Sequence, residues 1–157
     1  MKVLDSNLWV KGTLKTNQRA VDLLADLEEG TITSVMSEYI LAETLGAFDR
    51  VLTGRMHDHV LTAFLERLHI MDGLVESPKW HTQRSTQQDS IVEYQRNRPA
   101  IRMLAQVLDI QIKDMPILVT AFEHRDQRPT VLTNDRSFAE CDPSACGLSN
   151  LSIQYVE

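Results

Sequence analysis

Residues 130–135 read Thr-Val-Leu-Thr-Asn-Asp, a short apolar and β-branched run that stops at two polar side chains. Residues 2–5, Lys-Val-Leu-Asp, have the same form at the start of the chain. Runs of this kind predict buried strands. The first strand is therefore expected to stop at Asp5, and the later one at Asn134 and Asp135.

Outward from these two runs, the pattern alternates between strand and helix. Apolar periodicity predicts helices over residues 17–29, 41–52, 60–68, 101–108 and 115–124, and further strands over residues 31–35, 69–75 and 151–156. The polar stretch at residues 79–98 predicts only a helix near residues 87–96. Strands separated by helices predict an α/β fold with three layers, α/β/α, around a mostly parallel central sheet. A length of 157 residues suits one domain over residues 1–157.

The composition is that of a globular protein, with 43% hydrophobic and 24% charged residues. The apolar runs are far shorter than the roughly 20 residues of a membrane span, and the early acid Asp5 argues against a signal peptide. We therefore expect a cytoplasmic protein that does not cross a membrane. The net charge of −6 argues against a protein that simply coats nucleic acid. It is compatible with a nuclease whose acids surround metal ions.

The acids that follow the strands are the first candidates for a site. Sheets of this kind bind ligands in the crevice beyond the carboxyl ends of their strands. Asp5 and Asp135 both come at strand ends, so both are expected at that crevice. A turn or a helix cap would explain either residue alone. Two strands that end in the same way favour a functional role.

Two further acids lie on predicted helices. Asp114 opens a helix, as Asp before Pro often does, but it shares a face with Ile117 and is expected to face the sheet. An unpaired charge there would be costly. Glu43 lies opposite the apolar stripe of its helix, which favours a solvated residue, although small neighbours leave room for close approach. Glu38 and Asp109 are the competing acids.

Carboxylates are the ligands that hard divalent cations prefer. Three or four of them in one pocket can hold one or two ions, and two ions can stabilise both the attacking and the leaving oxygen of a phosphodiester. The histidines are scattered and the two cysteines have no companion pair, so a zinc site is not predicted. The expected cofactor is Mg²⁺ or Mn²⁺.

Four motifs now stand in order along the chain: Val-Leu-Asp-Ser-Asn at residues 3–7, Leu-Ala-Glu at 41–43, Asp-Met-Pro-Ile-Leu-Val-Thr-Ala at 114–121 and Leu-Thr-Asn-Asp-Arg-Ser-Phe at 132–138. Together they resemble the PIN domain and, in size, the VapC-like toxins of bacterial and archaeal toxin–antitoxin pairs. The resemblance covers residues 1 to about 140 and extends loosely to the last strand. The last motif is the most specific, and Leu-Ala-Glu is the least.

The resemblance implies a metal-dependent endoribonuclease that hydrolyses RNA and leaves a 5′-phosphate. It implies a metal shell, which is also the catalytic set, of Asp5, Glu43, Asp114 and Asp135, and a pocket shaped by Ser6, Thr133 and Asn134. RNA is the implied substrate, and an antitoxin and a homodimer are possible partners. Two features depart from the family. Ser137 stands where many relatives carry a second Asp, so one metal is expected to bind tightly and one weakly. Residues 55–98 also look longer than in the smallest toxins.

Basic residues beside the acids are candidates for binding RNA phosphates. Lys113 and Arg136 flank proposed ligands and are the better placed. The alternatives are a PIN-like module that binds a metal or a partner without cleaving RNA, and an RNA-processing nuclease unrelated to toxin–antitoxin pairs. A phosphoacceptor receiver domain is rejected, because it would need a lysine beyond a late strand and none follows Thr133.

Overall fold

Five parallel strands form one sheet at the centre of the structure, a computed structural model that describes residues 1–76, 99, 102–103 and 105–157. The strands are β1 (Lys2–Leu4), β2 (Ser34–Val35), β3 (Leu74–Glu76), β4 (Thr130–Thr133) and β5 (Ser152–Tyr155). Their order across the sheet is β3-β2-β1-β4-β5, and every neighbouring pair is parallel.

Helices pack around this sheet and give a three-layer α/β/α fold, which confirms the predicted fold class. They are α1 (Ser6–Thr13), α2 (Gln18–Glu28), α3 (Glu38–Val51), α4 (Gly54–Ile70), α5 (Met115–Glu123) and α6 (Arg136–Ala139). α1 contacts α2 and α3, whereas α5 contacts α3, β1 and β4. Within the described part of the chain, no helix is both long enough and apolar enough to span a bilayer.

Helix α1 is an element that the sequence pattern does not predict. Residues 6–13 include a glycine and a threonine, both of which are weak helix formers. The helix forms because the side chain of Asp5 caps its first turn and because Leu8 and Trp9 are fully buried. Tertiary packing therefore determines this helix more than its intrinsic propensity does.

Two strands differ in their bounds from the prediction. The strand predicted over residues 69–75 begins only at Leu74, because α4 continues to Ile70. Short apolar runs of this kind suit a helix as well as a strand. The strand predicted over residues 31–35 is reduced to the two residues of β2, since its first residue bonds back to the end of α2. The helix predicted near residues 87–96 lies outside the described residues.

An aromatic group connects three of the helices. The Phe64 ring of α4 meets the Trp9 ring of α1 and the Phe48 ring of α3 edge to face, with centroid distances of 6.3 and 5.2 Å. Such pairs contribute about 0.5–1.5 kcal/mol beyond the burial of their surfaces. All three rings belong to the buried cluster of the protein. Trp9 therefore packs in the core.

The strand order reverses between β1 and β4, which lie side by side at the centre of the sheet. In such folds the loops that leave these two strands part and open a crevice at their carboxyl ends. Leu4 pairs in register with Leu132, and the Asp5 amide donates to the Leu132 carbonyl at 2.9 Å. Asp5 and Thr133 therefore leave the sheet next to each other, and Asp135 follows two residues later.

Candidate active site

Asp5 is held at the point where β1 passes into α1, and it is only 1% exposed. Its Oδ1 accepts hydrogen bonds from Ser6 Oγ at 3.2 Å and from the Asn7 amide at 3.4 Å, which caps α1. Its Oδ2 accepts from Thr133 Oγ1 at 2.7 Å. The capping role and a role in the site are thus compatible, because they use different oxygens.

Thr133 joins the two acids that follow the central strands. It is fully buried at the end of β4. Its hydroxyl donates to Asp5 Oδ2 at 2.7 Å and accepts from the Asp135 amide at 3.0 Å. One hydroxyl group thereby fixes the carboxylate of Asp5 relative to the backbone of Asp135, as a residue that shapes the pocket would do.

Asp135 caps α6 with one of its two oxygens. Oδ1 accepts from the Ser137 amide at 2.9 Å, from Ser137 Oγ at 2.7 Å and from the Phe138 amide at 3.4 Å. These bonds, that of the Ser137 hydroxyl first, lower the pKa of Asp135. Oδ2 lies 3.5 Å from Lys113 Nζ. Ser137, where the family resemblance leads one to expect a second acid, instead holds Asp135 in place.

Asp114 precedes α5 and is only 3% exposed, yet its side chain makes no capping hydrogen bond. Among the described residues, its Oδ2 is buried and has no hydrogen-bond partner. Burial is the largest cause that raises the pKa of Asp114, from 3.8 to about 7. The charge of Lys113 opposes this shift. The carboxylates of Asp5, Asp135 and Glu43 add to it.

Glu43 comes from α3 and is half-buried, so it is not the solvated residue that helix periodicity alone favours. The reason is that α1 and α5 both pack against α3. Its Oε2 is buried and has no hydrogen-bond partner within the described chain. Burial, and then the charge of Asp5, raises the pKa of Glu43, whereas a hydrogen bond with Ser6 lowers it. Ser6 itself is buried and also donates to Asp5.

The four acids come from four separate parts of the fold and influence one another electrostatically. The competing acids, Glu38 and Asp109, are not part of this electrostatic group. Asp109 is exposed and has a left-handed backbone with φ of 55°. Neither Asp109 nor Glu38 is among the main causes of the raised pKa of Asp114. The charges of Asp5, Asp135 and Glu43, by contrast, all raise the pKa of Asp114.

The chemistry of these side chains fits a hard divalent cation. Two carboxylate oxygens, Glu43 Oε2 and Asp114 Oδ2, are buried without a donor from the described residues, and such groups are costly unless a proton or a cation meets them. Oxygen ligands of this type suit Mg²⁺ or Mn²⁺. The carboxylates are not drawn together into a ready ligand set, because the described residues contain no group of three or more His, Cys, Asp or Glu that could hold a metal ion.

Two predicted site residues prove to have structural contacts. Asn134 accepts a hydrogen bond from Lys11 Nζ and donates one to the Val156 carbonyl at 2.8 Å. It thus ties α1 to the chain after β5. No local sequence pattern singles out Lys11, because it lies in the last turn of α1, a helix that the pattern does not predict. Arg136 is exposed and lies over the Tyr155 ring at 5.4 Å, where a hydrogen bond with Tyr155 raises its pKa.

Lys113 is a cation that the structure brings to three of the acids, and Arg50 acts in addition on Glu43. The ammonium of Lys113 lies 3.5 Å from Asp135 Oδ2, and its side chain is 46% exposed. Its charge lowers the pKa of Glu43, Asp114 and Asp135. A cavity of about 260 Å³ is lined by Asp109, Ser137, Glu140 and other residues. The four acids do not line that cavity.

No protein-family model, curated protein or solved structure matches the chain. The resemblance to the PIN domain, drawn from four motifs, stays a prediction.

Proposed function

We propose that this chain is a metal-dependent endoribonuclease in which Asp5, Glu43, Asp114 and Asp135 hold Mg²⁺ or Mn²⁺. The observation that supports it most is the state of Asp114. This carboxylate is 3% exposed, its Oδ2 has no donor among the described residues, and three other acids act on it. Groups whose pKa is strongly shifted by burial and by specific charges concentrate at functional sites.

Each acid would have a distinct part in holding the ion. Asp5 is fixed on both sides by Ser6 and Thr133, so its carboxylate is preorganised. Asp135 is fixed through Oδ1 and leaves Oδ2 for a cation. Glu43 and Asp114 supply the two buried oxygens without donors in the described structure. A bound ion would supply positive charge to the phosphodiester and would lower the pKa of the attacking water.

Protons are part of this proposal. Because the pKa of Asp114 is about 7, its carboxyl group holds a proton below that pH. A carboxylate ligand must be deprotonated, so binding of the ion releases that proton and is favoured at higher pH. The ammonium of Lys113, whose side chain is 46% exposed, would bind a phosphate of the RNA. An antitoxin, a homodimer and a toxin role belong to the same proposal and are supported by the motif resemblance alone.

The test is cleavage of a mixed RNA pool in the presence of Mn²⁺ or Mg²⁺. We expect cleavage by the wild type, loss of cleavage with EDTA, and loss in Asp5→Asn. Asp109→Asn is the matched control, since Asp109 is an exposed acid outside the group and its loss should leave cleavage unchanged. If the wild type binds the ion and leaves the RNA intact, a binding module without nuclease activity replaces the proposed enzyme.

A further inference from the structure

The two oxygens of Asp135 have separate surroundings. Oδ1 receives three donors, the amides of Ser137 and Phe138 and the hydroxyl of Ser137. A carboxylate oxygen has two lone pairs, so this oxygen has no capacity left for a cation. Oδ2 has one neighbour of opposite charge, Lys113 Nζ, at 3.5 Å. Asp135 therefore has a single oxygen available to a metal, and Lys113 lies against it.

We propose that Lys113 and the divalent ion alternate at Asp135 Oδ2, so that binding of the ion displaces the ammonium of Lys113. This inference rests on the proposed metal site and adds a regulating residue to it. At 3.5 Å the contact is long for an ion pair, and the lysine side chain is 46% exposed. Exposed pairs of this kind are weak and open readily. The lysine can therefore leave without unfolding any part of the site.

Lys113 also lies close enough to the acids for the exchange. It adjoins Asp114 in the turn Ile112–Asp114, which is fixed by the bond from the Asp114 amide to the Gln111 carbonyl at 2.9 Å. Its charge acts on Asp114 and Glu43 as well as on Asp135. The ammonium of Lys113 therefore interacts with three of the carboxylates that would bind the metal. One lysine acts as an internal counter-ion for acids that would otherwise repel one another.

The exchange predicts how Lys113→Met changes the affinity for Mn²⁺. Loss of the competing charge should raise the affinity, by roughly three- to tenfold for a partly exposed pair. The affinity is measured without RNA, from the electron paramagnetic resonance signal of free Mn²⁺ during a titration at pH 8. Lys113→Arg keeps the charge and should retain the affinity of the wild type.

Arg125→Met is the matched control for a lost positive charge. Arg125 is exposed and lies beyond the far end of α5, roughly 15 Å from Asp114 at the rise of an α-helix. Its loss should leave the affinity for Mn²⁺ unchanged. An equal gain in Arg125→Met and Lys113→Met would mean that only the net charge matters, and it would overturn the exchange.

Asp135→Asn tests the position of the exchange. Asparagine keeps an oxygen that can cap α6, but it has no negative charge at the position of Oδ2. In that background, the increase in affinity caused by Lys113→Met should be clearly smaller, because only the effects on Asp114 and Glu43 remain. An undiminished increase would show that Lys113 and Asp135 act independently. Equal affinity of the wild type and Lys113→Met would overturn the exchange while leaving the metal site. If neither protein binds Mn²⁺, both proposals fail.

Discussion

The hydroxyl group of Thr133 donates a hydrogen bond to Asp5 Oδ2 at 2.7 Å across the boundary between β4 and β1. The Thr133 hydroxyl oxygen also accepts a hydrogen bond from the Asp135 amide at 3.0 Å. Three residues at the ends of two central strands are therefore linked through one buried atom. A change of that atom should affect the fold and the site together.

Thr133→Val keeps the shape of the side chain and removes the hydroxyl. Both buried bonds are then lost, which should lower the free energy of unfolding by about 1–3 kcal/mol. It should also reduce RNA cleavage, because Asp5 is no longer oriented. Thr130→Val at the other end of β4 is the control, since Thr130 has an exposed bond to Ser152. Urea unfolding of both variants checks this, and equal losses would contradict it.

Asp114→Asn should change how stability depends on pH. The pKa of Asp114 is about 7 in the folded protein against 3.8 ordinarily, so between these values the folded state binds more protons than the unfolded state. Stability therefore falls as pH rises from about 4 to 7, by up to roughly 4 kcal/mol, and is not affected below that window. The variant should be more stable than the wild type at pH 8 in EDTA.

The two proteins should differ by less than about 1 kcal/mol at pH 4, since Asp114 is then protonated in the folded wild type and partly protonated in the unfolded wild type. Urea denaturation at the two pH values makes the comparison. Asp109→Asn, which removes an exposed carboxylate, should follow the wild type at both. A variant that is less stable than the wild type at pH 8 would show that the Asp114 carboxylate has a partner in the folded protein.

Millimolar Mg²⁺ or Mn²⁺ should raise the melting temperature of the wild type, because an ion that binds only the folded state stabilises it. Each kcal/mol corresponds to roughly 2–4 °C in a protein of this size. The rise should be larger at pH 8 than at pH 5.5, since Asp114 must lose its proton to bind. Asp114→Asn should reduce it. Differential scanning fluorimetry with and without EDTA checks both, and an unchanged melting temperature would count against the site.

Gly12→Ala should destabilise the protein, because α1 and α2 approach closely at this residue. An added Cβ would lie 2.7 Å from Leu24 Cδ1 and 2.8 Å from the Ala20 carbonyl oxygen. We expect a loss of about 1–3 kcal/mol from overpacking. Gly46→Ala in α3 is the control with the opposite sign. There the added Cβ meets only Arg50 at 3.7 Å, and alanine should stabilise the helix by up to about 1 kcal/mol.

Much of the fold was predictable because its elements carry strong local patterns. The strands at residues 2–4 and 130–133 are apolar and β-branched, and their bounds match the prediction. Helix α2 ends before Gly30, which has a φ of 71°, as its sequence predicts. Helix α1 could not be predicted in this way, since its formation depends on the burial of Leu8 and Trp9 by other parts of the chain.

The site was predictable to a smaller degree. Strand ends led to Asp5 and Asp135, and helix geometry led to Asp114, because these signals are local. Burial of Glu43 depends on helices that are distant in sequence. Helix periodicity alone therefore predicts a solvent-exposed Glu43, whereas the residue is half-buried. The contact between Lys11 and Asn134 spans 123 residues and leaves no local signal. Ser137 could be seen as a departure from a family pattern but not as the residue that holds Asp135.

The position of β4 in the sheet has a consequence during synthesis of the chain. β4 lies between β1 and β5, although it follows β1 by more than a hundred residues. A chain still on the ribosome can make α1 to α4 but cannot complete the centre of its sheet before residue 133 has emerged. Until then Asp5 lacks the hydrogen bond from Thr133. The arrangement of Asp5 and Thr133 at this edge of the sheet is therefore withheld from the nascent chain until β4 has emerged.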